Sequence, residues 1–414
     1  MQHLYATGGR VKGSDQMRIG YRSQLWGTSL YLGPPSIWTT WNLNDIHEPV
    51  LEKLGGSNID LDDFCNTAGL NSEHRSKLVA QNPYVCAKSF QFLVNRLLED
   101  LLGIRCNDGR VHSEMGVLGK LSGYFGVVEA QGRGSLHLHM LLWLANAPSC
   151  DEMQELFKGE EFRVKVTSFI KHNIRAHLDG METYEDIQSI PVEKEVGYDR
   201  PPNPDGPLFE ERCNELERRL VRSQQIHKCT TATCLKMKNG QLRCKRKAPF
   251  PLADDDYVLE NGKWGCKRTF GYMNGWSPPL MPVLRCNNDM KLITNGEETR
   301  DSGYYFLGYA TKKQNKSHNQ SALLADTFAY HHSDTAYEND IGERNRLLII
   351  RCLNTLNKEQ EISGPQAMSY LMGWDDVYRS HRYAPLYWSS YVSALLLEFP
   401  ELRRTTNPAE ESGR

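Results

Sequence analysis

The apolar positions change period along this chain, and the changes mark its elements. Between Ser36 and Asn42 the run SIWTTWN follows Pro34-Pro35 and is rich in β-branched and aromatic residues, which predicts a strand closed by the turn-forming residues Asn42 to Asp45. From Val85 to Leu102, apolar residues at Phe90, Leu93, Val94, Leu97, Leu98 and Leu101 have helical spacing and predict an amphipathic helix of about five turns. Gly123 to Leu144, GYFGVVEAQGRGSLHLHMLLWL, reads as two strands joined by a glycine-containing turn. Charged helical sequence follows at Asp151 to Leu178 and Glu210 to Gln225, with an exposed proline-rich connection, Pro191 to Pro207, between them. Met290 to Thr294 predicts a last short strand, and helical pattern resumes from Asp301 and continues to Leu402. Periodicity is weak before residue 30, and the polar tail Arg403 to Arg414 is expected to be disordered.

Composition narrows the class. The chain has 414 residues, enough for one large or two to three smaller domains. At 39% hydrophobic and 24% charged residues it reads as a soluble globular protein, and a net charge of −2 confines any nucleic-acid contact to local patches. Neither a signal-peptide core nor an apolar run of roughly 20 residues is found, so the expectation is an intracellular protein without membrane partners. In a reducing compartment the eleven cysteines read as core residues or metal ligands. No GxxxxGK[ST] motif occurs; Gly116 to Lys120 fails on spacing, which excludes a P-loop motor in these residues.

Three groups of residues can carry chemistry. His137 and His139 sit two apart on a strand, so both rings point to one face, where oxygen ligands from the preceding strand can complete a metal site. Gln131 would oppose His137, and Glu129 would oppose His139, if the turn is centred on Gly134 with an odd number of loop residues; a four-residue loop would bring Ala130 to that face instead. The odd loop is the expectation, with Gly134 supplying a left-handed residue. The bland alternative is a pair of inert, hydrogen-bonded histidines. Tyr305 and Tyr309 lie four apart, on one side of a helix, with Lys312 nearly two turns beyond Tyr305. A phenol with a pKa of about 10 needs a nearby cation to act as a nucleophile, and packing against Phe306 is the alternative role. Finally, His227, Cys229, Cys234 and Cys244 offer four ligands for a structural Zn²⁺, set among Lys228, Lys236, Lys238, Arg243, Lys245, Arg246 and Lys247 with no acid between 227 and 247. Separate reduced cysteines in a basic loop are the competing reading.

Together these segments resemble the Helitron transposon replication initiators. GYFGVVEAQGRGSLHLHMLLWL is similar to that family's two-histidine motif, SIWTTWNLNDIH to its upstream strand motif, and YYFLGYATKKQ to its two-tyrosine helix. HKCTTATCLK and LNTLNKEQEISGPQAMSYLMG resemble its cysteine-rich and downstream helical segments. The resemblance implies an α+β fold of the HUH-endonuclease kind: a central antiparallel sheet flanked by helices, the histidine strand mid-sheet, a cysteine-rich insertion and a helical C-terminal region. The corresponding division is an N-terminal edge at 1–30, a first core part at 31–148, a charged helical and zinc-loop insertion at 149–289, the last strand and two-tyrosine helix at 290–320, a helical region at 321–402 and a tail at 403–414. The activity implied is rolling-circle nicking and joining of single-stranded DNA, at transposon ends and target. His137, His139 and Gln131 or Glu129 would hold Mg²⁺ or Mn²⁺, Tyr305 and Tyr309 would form 5′-phosphotyrosine intermediates, and Lys312 would neutralise charge. Gly308 stands where the family often has lysine, and the family's helicase domain is not among these residues, so a helicase in trans would be a partner and the nucleus the place of action. A catalytically silent DNA-binding remnant, or a phosphodiesterase using water, remain alternatives.

Overall fold

A computed structural model describes residues 11–63, 70–130, 134–193, 195–231, 233–310, 320–335, 337–358 and 362–402, with a few helical side chains, that of Tyr309 among them, outside the description. The fold is α+β, built on an antiparallel sheet. Five strands form its main path: β1, Ile37–Trp41; β2, Gly119–Ala130; β3, Leu136–Leu144; β4, Asn288–Leu292; and β5, Val377–Arg379. They run in the order β4-β1-β3-β2-β5, and Met115–Gly116 adds a short sixth strand against β2.

β3 is central and buried from Leu136 to Trp143. A strand covered on both faces reads as an almost continuous apolar run, which is what LHLHMLLWL is apart from its two imidazoles. Leu136, Leu138, Met140 and Leu142 point into the main core with Ile37 and Trp41 of β1, Val128 of β2 and Met290 of β4. Helix α1, Asp15–Leu32, precedes β1, and helix α2, Pro83–Arg96, extends through a π-helical turn at Leu97–Leu101. Its residues Phe90 and Val94 line that core, and Leu97 and Leu98 of the π turn join them. The opposite face of the sheet carries the histidines. Helix α3, Gly296–Ala310, packs there through Phe306, which is fully buried and meets Phe125 of β2 edge to face at 6.0 Å.

Two elements depart from expectation. The weakly periodic N-terminal stretch contains the 18-residue helix α1, capped by the Ser14 hydroxyl accepting from the Met17 amide. Within the region expected to be helical, Val377–Arg379 forms β5, paired with Phe125 to Val127 of β2 after helix α4, Gly364–Leu371. Both elements are held by one carboxylate. Asp376, 1% exposed, accepts hydrogen bonds from Arg18 Nη2 at 2.9 Å, Tyr21 Oη at 2.5 Å and Tyr370 Oη at 2.9 Å. Its backbone carbonyl accepts from the Val128 amide at 2.8 Å. The described residues from 382 to 402 belong to a separate unit, in which helix Trp388–Glu398 buries none of its side chains. The cysteines described are free thiols, and among the described residues no helix is long and apolar enough to cross a membrane. The tail 403–414, expected to be disordered, lies outside the described residues.

Removing the Asp376 carboxylate deprives the buried Arg18 guanidinium of its ion-pair partner, a loss of about 3–5 kcal/mol. Asp376→Ala should therefore lower the denaturant midpoint with an unchanged slope, and a variant as stable as the parent would show that the network closes nothing.

Candidate metal and tyrosine site

The face opposite the core is defined by pairing. Thr40 lies opposite His139, and Glu129 opposite His137, so their side chains share a side of the sheet. His137 and His139 are 7% and 4% exposed, and their Nε2 atoms stand 3.1 Å apart with ring centroids at 4.5 Å. Two donors about 2.1 Å from an octahedral cation lie about 3.0 Å apart, so the pair matches one edge of such a coordination shell. Thr40 Oγ1 lies 3.0 Å from Nδ1 of His139. When the hydroxyl accepts from Nδ1–H, Nε2 carries the lone pair that a cation can bind. Glu129 Oε2 is 3.6 Å from His139 Nε2, an oxygen donor beside the nitrogens.

The hairpin register differs from the expected one by two residues. The ladder closes at Ala130 opposite Leu136, which leaves an odd loop of five residues, but Glu129 then opposes His137, and Val127 opposes His139. Gly134 does take the left-handed conformation, with φ of 85°. A shift of two preserves the face, so Glu129 still reaches His139 diagonally. Gln131 lies outside the described residues.

Helix α3 brings Tyr305 to the same face. Its ring meets the Trp38 indole edge to face at 5.8 Å, and that indole stacks on His139 at 6.0 Å and 26°. Tyr305 is 52% exposed, so the buried imidazoles and an accessible phenol are joined through one tryptophan. Tyr309 lies one turn further along the helix backbone; its side chain and the whole of Lys312 lie outside the described residues. Trp38, Thr40 and Lys291 escaped the sequence reading. Lys291 Nζ sits 5.4 Å from the Trp38 ring centre, a cation–π contact, and Trp38 Nε1 is buried with no hydrogen-bond partner among the described residues. That Trp38 and Thr40 share one face of a strand was visible, but nothing local says which distant strands it joins. Beside them, burial pushes the Asp289 carboxyl above the usual range, with the Lys291 ammonium pulling the other way.

A second centre forms where the cysteine-rich segment folds back. One ligand atom from each of His227, Cys229, Cys234 and Cys244 lies within 4.8 Å of the others, and Cys244 Sγ is 3.3 Å from His227 Nε2. The arrangement is fixed by backbone: the His227 amide donates to Tyr272 at 2.7 Å, and the Lys245 amide donates to the Cys234 carbonyl at 2.8 Å. Desolvation, and then hydrogen bonds with Cys244 and Cys234, push the Cys229 thiol up to about 11. Three sulfurs with one imidazole suit a closed structural metal site. The seven basic side chains from Lys228 to Lys247 are all exposed.

Residues 1–142 match the family model described as Helitron helicase-like domain at N-terminus. No curated protein matches the chain. The matched residues take in Trp38, Thr40, Glu129, His137 and His139, while Tyr305 and the cysteine cluster lie beyond them. Over residues 1–142, then, this chain is similar to the Helitron helicase-like N-terminal domain, and the likeness takes in both histidines of the site.

Proposed function

We propose that the chain is a metal-dependent nickase and strand transferase for single-stranded DNA, with an HUH-type site on the histidine face. The observation that carries this reading is the contact chain Tyr305–Trp38–His139, which sets an accessible phenol and two convergent imidazoles on one side of one sheet. His137 and His139 hold Mg²⁺ or Mn²⁺, with Glu129, or Gln131, giving an oxygen. Such a cation, when bound, withdraws charge from a phosphoryl oxygen. The Tyr305 oxygen attacks phosphorus, the phenol proton is lost, the bond to the 3′ oxygen breaks, and that oxygen takes a proton to leave as a 3′-OH. The 5′ phosphate stays on tyrosine. Tyr309 supplies a second acceptor for strand transfer, and Lys312 a cation for the phosphate. Thr40 is a positioning residue that selects the His139 tautomer. The cysteine cluster holds Zn²⁺ and presents the basic segment to DNA; a helicase acts in trans, and the site of action is the nucleus.

Labelled single-stranded DNA incubated with Mn²⁺ should give a covalent 5′ adduct that Tyr305→Phe or Tyr309→Phe reduces or abolishes. Salt-sensitive DNA binding with no adduct under any condition would select the DNA-binding remnant instead. His137→Ala should slow nicking by about 10²-fold or more, the loss of ~3 kcal/mol of charge stabilisation, with DNA affinity nearly unchanged. Normal nicking by that variant would remove the histidines from the mechanism.

The purified chain should also carry one Zn²⁺, lost in Cys244→Ser and bound more weakly as pH falls, because binding displaces thiol and imidazole protons. Metal analysis across pH checks this; a zinc-free chain resistant to proteolysis between residues 228 and 247 would contradict it.

A further inference from the structure

The segment between the last two cysteine ligands is a two-faced ribbon. Strands Leu235–Lys238 and Gln241–Cys244 pair antiparallel, with Lys236 opposite Arg243, Met237 opposite Leu242, and Leu235 opposite Cys244. The two-residue connection is Asn239-Gly240, both at positive φ (51° and 75°), the combination that a type I′ hairpin turn requires. Alternation then separates the side chains. Lys236, Lys238, Gln241 and Arg243 share one face; Met237 and Leu242 share the other, with Leu235 and Cys244 behind them at the metal end. Met237 and Leu242 are 68% and 55% exposed, an apolar pair facing solvent at the far end of a basic ribbon.

A cationic face alone would suit any phosphate backbone. The apolar pair is more selective. Aliphatic side chains are poor platforms for unstacked bases, a role that falls to aromatic rings, but they act as wedges against base pairs at an opened or kinked step. In an intact duplex interior no base-pair face is open to them. We propose that this metal-anchored ribbon seats at a fork, where duplex DNA opens into single strands. Lys236, Lys238 and Arg243 follow the phosphates of a departing strand, and Met237 with Leu242 covers the terminal base pair. On one strand of the ribbon, Lys236 and Lys238 lie about 6.8 Å apart, so neighbouring cations address separate phosphates. The inference rests on the reading that the substrate is DNA and adds a structure preference that the nicking site does not itself provide.

The test uses the full zinc-loaded chain carrying Tyr305→Phe and Tyr309→Phe, so that binding is read without cleavage and a failure of the nicking reading leaves it unaffected. Fluorescence anisotropy compares a forked DNA, a blunt duplex and a single strand, all with the same number of phosphates. The fork should bind at least fivefold more tightly than the duplex. Met237→Ser with Leu242→Ser should abolish that preference while the dependence on salt stays the same. Lys236→Gln, Lys238→Gln and Arg243→Gln together should weaken all three DNAs and flatten the log–log salt slope by about two to three. If the double serine variant loses its zinc, the single Met237→Ser variant, at the most exposed position, takes its place and should lower the preference at least twofold. Equal affinity of the parent for fork and duplex, a preference that survives the serine substitutions in zinc-loaded protein, or a salt slope indifferent to the three glutamines would each overturn the proposal.

Discussion

The two-residue period of β3 is the constraint on which the site depends. Because β3 lies in the middle of the sheet and is covered on both sides, each of its side chains must serve one face or the other. Leu138, Met140 and Leu142 fill the core, which obliges His137 and His139 to face the other way together. Burying two imidazoles there is costly unless their nitrogens find partners. Thr40 and Glu129 provide some from the strands on either side, and the facing Nε2 pair is left pointing at a shared point. Convergence of the nitrogens is therefore a consequence of core packing on the far side of the sheet.

The covering of that face is equally constrained. Phe306 anchors α3 on Phe125, and a helix anchored at position 306 must turn position 305 by about 100° around its axis, away from the anchor. Tyr305 is thereby half-exposed at the edge of the covered region, against Trp38, instead of buried within it. An aromatic ring shared between an imidazole and a phenol fixes their separation without a direct hydrogen bond, since the indole is itself clamped between β1's neighbours and Lys291. The residue that ends α1 also meets this face, the Trp143 indole donating to the Gly33 carbonyl at 2.9 Å.

What the sequence disclosed follows the range of the interactions. The alternation LHLHMLLWL set both faces of β3, and ligand count alone brought His227 together with three cysteines. Each is local or nearly so. The register of the site hairpin was misjudged by two residues because turn chemistry identifies Gly134 as left-handed without saying where the ladder ends. Helix α1 lacked a readable apolar stripe because its inward face carries Arg18 and Tyr21, residues whose burial depends on Asp376, more than 350 positions away. β5 has three residues and exists only as a partner of β2. Neither could be found from a window of sequence, since what stabilises each is non-local.

The ribbon near the second centre shows the opposite solution to the same physical problem. A two-stranded hairpin is marginal in water because it has no second layer to bury its apolar side. β2 and β3 escape that limit by sitting inside a sheet packed on both faces, and they tolerate polar histidines as a result. Among the described residues the hairpin Leu235–Cys244 has no such layer over Met237 and Leu242, so its order must come from its base, where His227, Cys229, Cys234 and Cys244 converge around one point. The metal proposed for that point would supply the free energy that a core otherwise provides. It leaves both faces of the ribbon free, one charged and one apolar, which a core-packed hairpin could never offer to a partner.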